Sequence, residues 1–323
     1  MLVGMLFALA AGMIWGIVFI GPLLLPEYPA AMQSFGRYLA FGLIALPLGW
    51  LDRVELRKLT RKDWLLALEL SAIGNVIYYL CLASSIQMAG GPVPTMLIGT
   101  LPVTITIFSN IVNHERDGYL PWAKLIIPIG IVLAGIACVN HVELSSITAV
   151  QSSNVYRYGT GIVLGVAAVC CWTWYPIRNA QWMRSHADRN PRSWATAQGL
   201  ATLPLAAVGY ASFWGWSAAT GREFAMPFGP RPLVFIGVVV TIAVFASLVA
   251  TMCWNAASQR LPTAMVGQLI VFETLAALCY TYILRAQLPS MLTFLGIGLL
   301  LLGVIWAVRI KPEFKALGVT IHS

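Results

Sequence analysis

Ala10-Ala11-Gly12-Met13-Ile14-Trp15-Gly16-Ile17-Val18-Phe19-Ile20 returns as Ala167-Ala168-Val169-Cys170-Cys171-Trp172-Thr173-Trp174-Tyr175-Pro176-Ile177, and this pair decides how the chain is read. The offset is 157 residues (172 − 15), about half of the 323-residue chain, and both alanines, the tryptophan and the closing isoleucine are identical. A second echo pairs Ile129-Gly130 and Gly135 with Ile297-Gly298 and Gly303 near the two ends of the halves. Such self-similarity predicts a duplication, with function expected where the halves meet.

Composition sets the class. With 59% hydrophobic and 10% charged residues, a soluble globule would lack the polar surface to cover itself, so an integral membrane protein is expected. The net charge of +8 does not point to nucleic acid, because the basic residues fall in short blocks between apolar runs, as topology signals do. The first apolar run continues to about Leu25 without an Ala-x-Ala site, so no cleavable signal peptide is expected. Cys81, Cys138, Cys170, Cys171, Cys253 and Cys279 all lie in apolar stretches, and His114, His141, His186 and His322 fall in expected loops or the tail. That pattern predicts no disulfide framework, no metal site and no cofactor.

Ten apolar runs follow, at about Leu2–Leu25, Ala30–Leu51, Trp64–Gln87, Pro92–Val112, Leu120–Val139, Gly159–Ile177, Ser193–Trp216, Leu233–Ala257, Thr263–Leu284 and Pro289–Val308. Each is near the ~20 residues a helix needs to cross the hydrocarbon, and none alternates with period two as a barrel strand would. With the amino terminus inside, fifteen of the twenty Lys and Arg fall on the inner side, four on the outer side, and Arg37 within a span. Both termini are therefore expected in the cytoplasm. Five spans per half is odd, so the second half enters the membrane from the opposite side, an inverted repeat. The expected organisation is a first five-helix repeat over 1–140, an external connector over 141–158, a second repeat over 159–310 and a cytoplasmic tail over 311–323.

The order of these features resembles the drug/metabolite transporter superfamily: ten spans in two repeats, the Trp on the first helix of each half, and Gly99-Thr100-Leu101-Pro102-Val103 in the fourth span. Within it the chain looks like the EamA-type carriers and the YddG-type amino-acid exporters, through Tyr78-Tyr79 and Trp254-Asn255. The resemblance implies a transporter of the inner membrane that alternates access around a midplane cavity. One departure is Glu273, which stands where the pattern suggests a partner of Pro102.

Polar groups inside the spans carry the expected chemistry. Arg37, Glu69 and Glu273 lie within the predicted hydrocarbon, where a charge at a helix centre costs at least ~2.5–3.5 kcal/mol. Arg37 and Glu69 are close enough to opposite interfaces to snorkel, so they are not expected to pair. Glu273, ten residues into its span and ~15 Å from the inner end, must face a cavity or a partner. Helical spacing gathers Ser71, Asn75, Tyr78 and Leu82 on one face with Tyr79 beside them; Thr95, Gly99, Pro102 and Thr106 on another; and Ser247, Thr251, Asn255 and Ser258 on a third. Trp15 lies mid-span, whereas Trp174 and Tyr175 near a helix end read as interfacial anchors. Gly12 with Gly16, and Gly161 with Gly165, have the spacing of close helix packing.

The expected substrate-binding set is Trp15, Asn75, Tyr78, Tyr79, Met96, Gly99, Trp172, Asn255, Gln268 and Glu273. The expected activity is export of small metabolites, amino acids foremost, whether aromatic or other neutral ones. Expected partners are a small-molecule substrate and the bilayer, in a monomer or weak homodimer, the fifth and tenth spans being one place for a contact between copies. A carrier of cationic drugs or quaternary amines is the first alternative, with Glu273 as counter-ion. A membrane-embedded enzyme is the second, disfavoured because no His and no paired carboxylates lie in the spans.

Overall fold

A computed structural model describes residues 1–89, 92–112, 120–147, 155–220, 224–284, 286, 288–310 and 313. Among these residues every extended regular element is a helix. We label the long ones α1 Leu2–Leu24, α2 Ala30–Leu51, α3 Arg61–Ala89, α4 Val93–Val112, α5 Trp122–Ile147, α6 Val155–Ser185, α7 Pro191–Ala219, α8 Pro232–Arg260, α9 Thr263–Leu284 and α10 Met291–Val308. Their starts are set locally. Thr60 and Asp63 form a capping box before α3, Asn190 caps α7 ahead of Pro191, and Ser290 caps α10.

Nine of the described helices are long and apolar enough to cross a membrane. The expected seventh run lies inside α7, a helix of 29 residues that is not among the nine. Its apolar character is diluted by Thr196, Gln198 and Thr202, all fully buried against other helices. Several helices outrun their apolar cores. α5 continues to Ile147 and α6 begins at Val155, so the expected connector is helical at both ends, and His141 lies on α5 rather than in a loop. Its middle, 148–154, falls outside the described residues, as do His114 and nearly all of the tail. α6 also runs on through Arg178-Asn179-Ala180-Gln181, where Arg, Ala and Gln are good helix formers that hydropathy ignores.

Without a hydrophobic force between helices in lipid, small residues decide which of them meet. α5 packs along α10, where a Cβ on Gly135 would lie 2.9 Å from the Gly296 carbonyl oxygen and one on Gly303 would lie 3.0 Å from that of Pro128. The small-residue seam expected as a possible contact between copies is thus used within the chain. α2 packs along α7 at Gly42, Gly49 and Gly199. α1 packs on α8 and α9, and α6 on α3 and α4, so the two copies of the opening motif have matching neighbours. Gly12 and Gly16 close α1 onto Phe272–Ala277, and Gly161 and Gly165 close α6 onto Met88, Ala89, Ser85 and Leu97, the close packing their spacing predicts.

Candidate functional site

Five helices are irregular where they approach the centre, and α1 tightens into a 3-10 turn over Gly16–Phe19. α3 loosens into a π-helix over Ser71–Ile77 and α8 into another over Ala243–Val249. A π turn redirects side chains and leaves backbone groups for other partners, and such turns gather at functional sites. The second role is visible in each turn: the Trp15 indole Nε1 donates to the Ala246 carbonyl at 2.8 Å, and Ser34 Oγ donates to the Val76 carbonyl at 3.4 Å. α4 is interrupted at Thr100 and α9 at Ile270, each just ahead of its notable residue, Pro102 and Glu273. Glu273 therefore stands in the first turn of the second segment of α9. The exposed amides of a helix start favour a negative charge there.

The π turns of α3 and α8 and the break in α9 converge on one cavity, which Trp15, Asn75, Tyr78, Trp172 and Glu273 line together with Arg37, Tyr175, Ser247 and Thr251, whereas the break in α4 lies by a separate small cavity at Pro102. The tryptophans from the two opening motifs meet edge to face, with ring centroids 4.8 Å apart, and Tyr78 stands edge-on to Trp172 at 5.4 Å. Gly74 lets α3 reach this wall, since a Cβ there would overlap the Tyr175 ring. Asn75 Nδ2 donates to Thr202 Oγ1 at 3.4 Å.

Two buried ionisable side chains face this space. Glu273 is 3% exposed and its Oε2 has no hydrogen-bond partner. Arg37 is 4% exposed, which corrects the expected snorkelling. Its guanidinium finds a local cradle instead of the interface: Nε donates to Ser247 Oγ at 2.9 Å, and the carbon centre lies 4.8 and 4.6 Å from the Tyr38 and Tyr79 ring centroids. Its Nη1 is buried without a partner. The free volume is about 20 Å³, room for a single water and no more. Glu69, by contrast, is exposed on α3, as snorkelling requires.

The remaining expected residues lie elsewhere. Tyr79 stands behind Arg37 rather than on the cavity wall. Asn255 is fully buried in a network in which Asn179 Nδ2 donates to its Oδ1 at 2.9 Å, while Trp194 and Gln198 donate to Asn179 Oδ1 and Tyr175 donates to Gln198. An amide satisfied in this way holds α6, α7 and α8 together and has no free group for a ligand. Met96 packs on the α5–α10 side of the molecule and Gly99 lies beside Ile136. Gln268 borders two small separate cavities with Pro102 and Asn110. Tyr175 is buried, which corrects its reading as an interfacial anchor; Trp174 lines an outward-facing cleft of about 410 Å³ between α4 and α6. That cleft is larger than the central cavity, but its walls are mostly apolar, Phe108 and Cys170 are exposed, and it has no buried charge.

The EamA-like transporter family matches residues 2–141. Over 313 residues the chain is 54% identical to inner membrane protein YtfF of Escherichia coli (strain K12), covering 97% of each chain. A protein of known crystal structure superposes with a TM-score of 0.70 at 15% identity, over 95% of this chain and 99% of that one, which shows a shared fold.

Proposed function

Since the chain belongs to the EamA-like transporter family and is a multi-pass protein of the inner membrane, we propose that it exports small zwitterionic metabolites, neutral amino acids foremost, through the cavity between Trp15, Trp172, Arg37 and Glu273. The observation that carries this reading is the pair of buried charges on an aromatic-walled cavity built from the spans. Such charges inside a membrane are costly to keep and mark a transport path. The wall of Trp15, Tyr78 and Trp172 suits an apolar body, and the charges suit a polar head.

Passage requires the cavity to open, because its present volume admits about one water. Inverted repeats open such a site alternately to either side by rocking one half against the other. Support for that organisation lies in the matching neighbours of α1 and α6, in π turns on both α3 and α8, and in interruptions of both α4 and α9. In this reading α7 is the tenth span, both termini are cytoplasmic, and the halves divide within 141–158. A chain acting as monomer or weak homodimer fits, since the α5–α10 seam is already used internally. The buried guanidinium disfavours the cationic-drug alternative, because a lone cation would meet a like charge in the same space.

The test is a substrate panel with purified protein in liposomes. Labelled neutral amino acids should accumulate by counterflow, lipophilic cations should not compete, and the transported molecule should be recovered unchanged. Competition by lipophilic cations alone would reject the amino-acid reading. Recovery of a chemically altered product would reject transport.

A further inference from the structure

The geometry points to Arg37 as the carboxylate-binding residue of the central cavity, working opposite Glu273 so that only a molecule carrying both an anionic and a cationic group is admitted. This rests on the transport reading above and names the selectivity of that site. A guanidinium offers five N–H donors. Here Ser247 takes the one on Nε and the Tyr38 and Tyr79 rings flank the carbon centre, which orients the planar group, while Nη1 stays buried and unpartnered. Glu273 presents the complementary lack, an unpartnered buried Oε2 on the same cavity.

No ion pair within 4.0 Å joins Arg37 to Glu273, so each charge retains binding capacity that the protein itself does not satisfy. A carboxylate fits the guanidinium fork with charge-assisted hydrogen bonds, and an ammonium fits the carboxylate of Glu273. Fragments fare worse. An amine without a carboxylate leaves Arg37 unpaired and adds a second cation; an acid without an amine does the converse beside Glu273. A site that leaves a buried charge unpaired with the wrong ligand discriminates strongly against it.

The experiment uses the full chain in liposomes and measures counterflow of three labelled probes on one skeleton: L-phenylalanine, phenethylamine and 3-phenylpropionate. L-leucine, isoamylamine and 4-methylpentanoate form a parallel set for a smaller body. Wild type should move the amino acid of at least one set and neither of its fragments. Arg37→Gln should raise KM for that amino acid roughly 10- to 100-fold, as expected for losing charge-assisted hydrogen bonds at a buried site. Arg37→Lys keeps the charge but not the fork and should fall between, and Ser247→Ala should shift KM in the same direction by less. If Arg37→Gln does not fold, judged by its melting, the other two variants decide the matter. Wild-type transport of phenethylamine as fast as L-phenylalanine, or KM within twofold of wild type in the folded Arg37 variants, overturns the inference while leaving amino-acid transport standing. Failure of both amino acids to move overturns the transport reading and this inference with it.

Discussion

Replacing Gly16 by valine tests the seam that holds α1 against the Glu273 segment of α9. A Cβ at Gly16 would lie 2.6 Å from the Ala276 Cβ, 2.8 Å from the Ala277 nitrogen and 2.9 Å from the Ala276 carbonyl carbon. Ordinary carbon contacts sit at about 3.5–4.0 Å, so the two backbones must part by about an ångström before the valine methyls are placed. Two of the obstructing atoms are backbone, and no rotamer change relieves them. Overpacking of this kind costs about 1–3 kcal/mol, and two further methyls put Gly16→Val near ~3 kcal/mol. At about 2.1 cal/mol/K of unfolding entropy per residue, a chain of 323 residues shifts by about 1.5 °C per kcal/mol, so melting should fall by roughly 4–5 °C. The assay is thermal melting of the detergent-solubilised protein, followed by tryptophan fluorescence. Gly130→Val is the control, because a Cβ there meets nothing within 4 Å, and it should melt within about 2 °C of wild type. Equal melting of Gly16→Val and wild type, or an equal fall in Gly130→Val, would refute the packing argument.

Three further outcomes are expected. Glu273→Gln should weaken transport of amine-bearing substrates if the carboxylate binds the ammonium, or abolish dependence on a pH gradient while leaving exchange intact if it carries a proton; unchanged transport and pH dependence would sink both roles. Glu27 lies in the turn between α1 and α2, where its hydrogen bond to Arg231 holds its carboxyl below the ordinary value of 4.5. The stability this gives is fully present above that value and is lost as pH falls below it and through the lowered folded value, so Glu27→Gln should flatten the acid limb of a melting-temperature profile, and an unchanged limb would count against the pairing. With the native cysteines replaced, a cysteine at Ser152 should react with an impermeant reagent in intact cells and one at Ser323 should not; the reverse pattern would end the inverted-topology reading.

The spans were legible because each is a long apolar run, and Ala30–Leu51 and Thr263–Leu284 begin and end where hydropathy places them. α7 shows the limit of that signal: its polar residues are buried against protein, so a sequence average understates its burial. The repeat singles out Trp15 and Trp172, and depth singles out Glu273, all three of which line the central cavity. Distance to the interface alone misplaces Arg37, because the cradle comes from Ser247, 210 residues away in the chain. The available signal was the default that an ionisable residue inside a span is functional. Asn255 reads as free for a ligand for the mirror reason, since its partner Asn179 lies on another helix. Neither π turn follows from residue pattern, because the segments Ser71–Ile77 and Ala243–Val249 read as ordinary helix.

Under the proposed function the Arg37–Glu273 cavity lies on the transport path. Thr251 lines that cavity and is buried, so Thr251→Cys in a chain freed of its six native cysteines places a reporter on its wall. During transport in liposomes, a small water-soluble thiol reagent should modify this cysteine, and a transported neutral amino acid should slow the modification as its concentration passes the transport KM. A cysteine that never reacts while transport proceeds, or that reacts at a rate no amino acid changes, would place the path elsewhere.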